Sequence, residues 1–187
     1  MTKMSCKLFC DARGAAVIEM ALIAPVLALG VIGIVDISNA YSRKLALEQG
    51  AQRAVEKIMQ TTSYTTVEST LANEAICQVN GTTTTTTTSG GQTTTTTTCR
   101  TSPINASNVT VTWRLQCTAS GGAVTNQTTT DSATFDTYVC PSGTASQAKY
   151  VQVALTDKYT PMFPIHFASL DADGTYHLAA VAGMRWK

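Results

Sequence analysis

The sequence predicts an α+β protein with a long N-terminal helix, membrane-spanning in its first half, packed on a small antiparallel β-sheet. Three observations predict it. Ala15 to Val35 is a run of 21 residues with one charge, Glu19. Beyond it, apolar residues recur at a helical 3-4 spacing as far as Ile58. The C-terminal half instead alternates apolar and polar residues, as half-buried strands do. Helix first and strands later is the order of an α+β architecture.

The chain divides into a leader (1–14), a transmembrane helix (15–36), an amphipathic helical region (37–80), a Thr-rich loop (81–99) and a β-rich domain (100–187). The leader carries Lys3, Lys7 and Arg13 against Asp11, which suits retention on the cytoplasmic side of a membrane. The apolar run, at ~1.5 Å rise per residue, covers ~30 Å, the thickness of a bilayer's hydrocarbon core. An ordinary anchor accounts for the length but not for Glu19, since an acid deep in a bilayer costs about 2.5 kcal/mol or more. Pro25 is expected to kink this helix, because it offers no N–H to the Ala21 carbonyl.

A basic leader ending in Gly14, a Glu at the fifth position after it and a long apolar helix resemble a type IV prepilin cleavage site. With Pro25 included, the stretch from Arg13 to Met59 resembles the TadE-like pseudopilins of the tight adherence (Tad) pilus system. Met20 departs from that pattern, where an aromatic residue is more usual. The resemblance implies a pilin-like fold and cleavage between Gly14 and Ala15 by a prepilin peptidase. It also implies a minor role in pilus assembly, supporting surface attachment. In it, Glu19 is a subunit-docking acid that neutralises the N-terminal amine of a neighbouring pilin-like subunit. The expected location is the inner membrane, single-pass, with the C-terminal domain in the periplasm or carried into the pilus at the cell surface.

Two rival readings come from other classes. Ser38, Asn39 and Ala40 form a small-x-small site, so a general signal peptidase could release a secreted adhesion domain beginning at Tyr41. The apolar run is longer than the 7–15 residues usual for such signals, and it contains Glu19. The other rival is a membrane-anchored periplasmic module unrelated to pili.

From Ile37, the stripe Ile37, Ala40, Leu47, Ala51, Ala54 and Ile58 is broken by Lys44, and Gly50 weakens the helix by ~1 kcal/mol relative to Ala. This stripe packs on the protein's own domain, on neighbouring pilin-like helices, or on each along different halves. Thr65 and Glu68 form a capping-box pattern that opens a second helix ending near Cys77, with Val67, Leu71 and Ala75 on one face. Two Thr runs flank Gly90 and Gly91; with no apolar alternation to set a register, a mobile or weakly paired loop is expected. Such tracts, and the acceptor patterns at Asn105, Asn108 and Asn126, also match glycosylation composition.

Strands are expected at Val109–Cys117, Thr134–Cys140, Val151–Leu155, Ile165–Phe167 and Tyr176–Met184, with a hairpin turn at Asp171–Gly174. The turn has a fragment of a calcium loop without its spacing or closing Glu. Of six cysteines, Cys77, Cys99, Cys117 and Cys140 lie beyond the membrane, without C-x-x-C spacing and with two His in the chain. They read as disulfides in an oxidising compartment rather than as a zinc site, with Cys77–Cys99 and Cys117–Cys140 favoured among three connectivities. If the Thr runs paired as a hairpin, Cys99 would face Thr82, so a bridge to Cys77 would close a loop rather than a ladder.

No metal or cofactor is expected. His166 and His177 flank the Asp-Gly turn and are read as ordinary strand residues. No nucleophile elbow, zincin motif or phosphate-cradling loop appears, so no enzymatic activity is expected. A net charge of +1 with 13% charged residues gives no reason to expect a nucleic-acid partner.

Overall fold

The computed structural model describes residues 12–60, 64–163 and 171–185. Its first element, α1 (Ala12–Gln60), is a single helix of 49 residues with Pro25 inside it. The second element, α2 (Tyr64–Asn80), returns along α1. Gly81, at φ +75°, ends α2 by donating its N–H to the Cys77 carbonyl at 2.9 Å, the left-handed cap that glycine adopts without strain.

Gly50 shows why α1 and α2 approach so closely. A Cβ placed there would lie 2.5 Å from Val79 Cγ2 and 3.1 Å from the Ala75 carbonyl oxygen. The residue that weakens the helix locally is the one that admits its neighbour. Lys57 and Glu74 clasp the same pair of helices at 3.0 Å.

The Thr tracts correct the expectation of a loop. They form a regular two-stranded hairpin, β1 (Thr82–Ser89) and β2 (Gln92–Cys99), in unbroken register from Thr82–Cys99 to Ser89–Gln92. Uniform Thr lacks alternation, but β-branched residues suit strands, and Gly90 and Gly91 (φ +59° and +81°) make the tight turn that pins the pairing. The base is anchored by the Arg100 N–H on the Gly81 carbonyl, 3.0 Å.

The main sheet is antiparallel with strand order β4-β3-β5-β6, comprising β3 (Val109–Ala119), β4 (Val124–Thr129), β5 (Thr144–Tyr159) and β6 (Tyr176–Arg185). The alternating Val109–Cys117 and Val151–Leu155 runs are the two central strands. Elsewhere one expectation fails and one strand comes in addition. Thr134–Cys140 is not a strand; Asp131 caps a short helix, α3 (Ser132–Asp136), by accepting from the Thr134 N–H at 2.9 Å. Val124–Thr129 is a strand, polar and exposed at the sheet edge, where burial imposes no apolar alternation. The Ile165–Phe167 segment lies outside the described residues.

The helices cover one face of this sheet. Leu47, Ala51, Ala54 and Val55 of α1 pack with Ala75 and Ile76 of α2, Val153 and Leu155 of β5, and Ile104. A second cluster joins Leu71 to Trp113, Leu115, Val151 and Phe135. Asn80, buried at the end of α2, fastens the loop between the hairpin and the sheet. Its amide donates to the Arg100 and Ile104 carbonyls, both 2.7 Å, and its oxygen accepts from the Ile104 N–H at 3.0 Å. This arrangement is the expected α+β plan.

Candidate assembly segment

The residues expected to act in cleavage and docking lie on the first half of α1. Gly14 and Ala15 sit in its first turn, and residues 16–31 are all exposed. Val17, Ile18, Leu22, Val26 and Val31 each leave more than 60% of their surface open. Each such side chain is worth ~1.5–3 kcal/mol once removed from water, so this segment requires an apolar surrounding. It is long and apolar enough to cross a membrane, with one charge, Glu19. Glu19 is exposed, and among the described residues no group pairs with it. Residues 1–11 of the leader, with Cys6 and Cys10, lie outside the described residues.

Where the apolar run ends, the helix is bolted to the domain. Asp36 is 3% exposed and accepts from the backbone N–H groups of Met162 (2.9 Å) and Phe163 (3.3 Å) and from the Tyr159 hydroxyl (3.4 Å). Burial, with the Asp36 charge beside it, pushes the Tyr159 hydroxyl above its ordinary pKa, which keeps it a donor. Two turns further on, Arg43 Nε lies 3.2 Å from the buried Asp157 Oδ2, an ion pair not aligned as a hydrogen bond. The other Asp157 oxygen accepts from the Lys158 N–H at 2.8 Å. An acid placed directly at the end of an apolar run was the available signal for Asp36; nothing near Arg43 announced its partner 114 positions away.

The stripe expected to continue the helix is used in two ways. Leu47, Ala51 and Ala54 are fully buried in the domain, whereas Ile37 is half exposed. With Ala40, Tyr41 and Lys44, Ile37 meets Tyr176 and Leu178 around an apolar groove of about 290 Å³. The side chain of Ile58 is outside the described residues.

Residues 14–56 match the TadE-like protein family. No curated protein and no solved structure gives a match. The matched stretch thus begins at Gly14, takes in Glu19, Pro25 and Asp36, and ends where α1 is buried.

The remaining sequence candidates fall apart from this segment. Cys77 and Cys99 come to disulfide distance at the hairpin base (Cα–Cα 4.8 Å), as do Cys117 and Cys140 (5.7 Å). Cys99 does face Thr82 in the ladder, and Cys77 reaches it from the last turn of α2. His177 lies between Asp171 (3.4 Å) and Asp173 (2.9 Å), with Lys158 2.7 Å from Asp173. The Lys158 ammonium, His177 and Thr175 hold the Asp173 carboxyl well below its ordinary range. The Asp171–Gly174 stretch is a tight turn, with the Gly174 N–H on the Asp171 carbonyl at 2.9 Å. Among the described residues no His, Cys, Asp or Glu cluster has a metal-binding arrangement. His166 lies outside them.

Proposed function

We propose that this chain is a pseudopilin, a minor pilin-like component that assembles tight adherence pili and so supports surface attachment. The observation that carries the reading is the exposed apolar half of α1, bearing one unpaired acid and lying within the TadE-like match. In this reading a prepilin peptidase cuts between Gly14 and Ala15. The helix holds the protein in the inner membrane, and the domain stands in the periplasm, where both cysteine pairs are oxidised. A carboxylate and an ammonium that are each costly in lipid become tolerable as a pair. Glu19 therefore favours docking against the freed amine of a neighbouring subunit over remaining single.

Release after Ala40 fits poorly. It would remove Asp36 and leave the Met162 and Phe163 N–H groups and the Tyr159 hydroxyl without their acceptor. N-terminal sequencing of the mature protein tests the reading. Ala15 is expected, and a protein that begins at Tyr41 or retains Met1 refutes it. Glu19→Ala should leave membrane insertion intact and abolish co-purification with other pilin-like subunits. Normal piliation by that variant would remove Glu19 from assembly.

A further inference from the structure

The face of the sheet turned away from the helices carries a second feature. Antiparallel registers set Thr128, Arg114, Tyr150 and Arg185 in one row across β4, β3, β5 and β6. The adjoining row is Thr112, Gln152 and Gly183. Arg114 lays its guanidinium over the Tyr150 ring, 4.4 Å from the centroid. Gly183 adds no side chain, and what a Cβ there would meet first is the Val151 carbonyl oxygen at 3.3 Å, so the backbone itself forms the floor. A depression of about 410 Å³ results, within the ~300–1,000 Å³ typical of small-ligand sites.

Its chemistry is one-sided in charge and two-sided in hydrogen bonding. Two guanidiniums border it, and among the described residues no Asp or Glu is in the lining. Each guanidinium fork matches a carboxylate. The Thr112, Thr128 and Tyr150 hydroxyls and the Gln152 amide each offer both a donor and an acceptor. A polyhydroxylated ligand, whose every hydroxyl also donates and accepts, uses such a lining fully. Two cations are few for a nucleic acid, whose binding grows with the number of phosphates neutralised. Arg114 and Arg185 are two strand spacings apart, ~10 Å, which lets one extended chain offer an acid to each.

We propose that this outer-face depression binds an acidic saccharide of the uronic-acid class. Its carboxylates meet Arg114 and Arg185, and its hydroxyls meet Thr112, Thr128 and Gln152. The site does not depend on the pseudopilin reading, because it is built wholly from the domain.

The test is calorimetric titration of the full chain in detergent with tetragalacturonate. Saturable binding is expected, with maltotetraose weaker by about tenfold or more, as charge-assisted contacts are the stronger ones. Arg114→Gln and Arg185→Gln should each weaken tetragalacturonate by about tenfold, while Arg53→Gln on α1 changes nothing. Gln152→Ala should weaken it by a smaller factor, and it keeps the test open should an arginine variant fail to fold. No saturable binding, equal binding of maltotetraose, or indifference to the arginine and Gln152 variants would overturn the proposal. Equal binding of tetraglutamate, or displacement by equimolar sulfate, would overturn the saccharide assignment, leaving a generic anion or peptide site.

Discussion

Replacing Gly50 by Ala sets two effects of known size against each other. Helix propensity alone favours Ala by ~1 kcal/mol. Against it, the new methyl would sit 2.5 Å from Val79 Cγ2, 3.1 Å from the Ala75 carbonyl oxygen and 3.2 Å from Leu155 Cδ1. Overpacking of this kind costs ~1–3 kcal/mol. The upper part of that range applies, because one contact is backbone and another is a β-branched side chain confined to one rotamer in a helix. The net effect is a loss of ~1–2 kcal/mol, or roughly 3–6 °C in Tm for a domain of this size. Thermal unfolding of the full chain in detergent, followed by near-ultraviolet circular dichroism, measures it. Adding Val79→Ala should restore part of the loss, a coupling of ~0.5 kcal/mol or more between touching residues. A Gly50→Ala protein melting at or above the parent would refute the packing argument and leave propensity in charge.

Asp36→Ala should cost ~1–2 kcal/mol, since part-buried N–H groups lose their carboxylate acceptor, and should speed hydrogen exchange at Met162 and Phe163; unchanged exchange there would remove Asp36 as the bolt. Non-reducing peptide mapping should find Cys77 joined to Cys99 and Cys117 to Cys140. The bridges close separations of 22 and 23 residues, each worth ~3 kcal/mol in the loop-entropy model, and four free thiols in periplasmic material would refute them. Asp173 has a depressed folded pKa, so its contribution is present above its ordinary value of 3.8 and is lost as pH falls from there toward the folded pKa. The Thr175 amide, held by that carboxylate at 3.2 Å, should exchange faster in acid relative to Asp173→Asn, and a parallel pH response in both proteins would disprove the link.

How much of this was legible in the sequence follows from where burial leaves a pattern. The central strands announced themselves because Trp113, Leu115, Val153 and Leu155 alternate with solvent-facing residues. The edge strand Val124–Thr129 is not buried on either side and left no such trace. The Thr hairpin is specified by its turn and its anchored base, neither of which periodicity detects. Asp131 did offer a helix-capping signal, but the apolar Phe135, Tyr138 and Val139 beyond it imitate a strand. In the assembly segment, the apolar run and Glu19 were plain, being local. Asp36 and Arg43 act through partners more than 100 positions away, which no local pattern encodes.

α1 passes from the apolar run into the core as one continuous helix, whose 49 residues at ~1.5 Å each add up to ~74 Å along its path. Asp36 and Arg43 key that helix to β5 and to the segment just after it. The bearing of the arginine-lined face relative to Glu19 is therefore set by the count of residues between Glu19 and Asp36. Inserting one residue there would turn the domain by ~100° while leaving both halves intact. In any stack of copies meeting along their apolar helices, every domain presents the same face at the same bearing, and repetition around the stack turns single shallow depressions into a regular array.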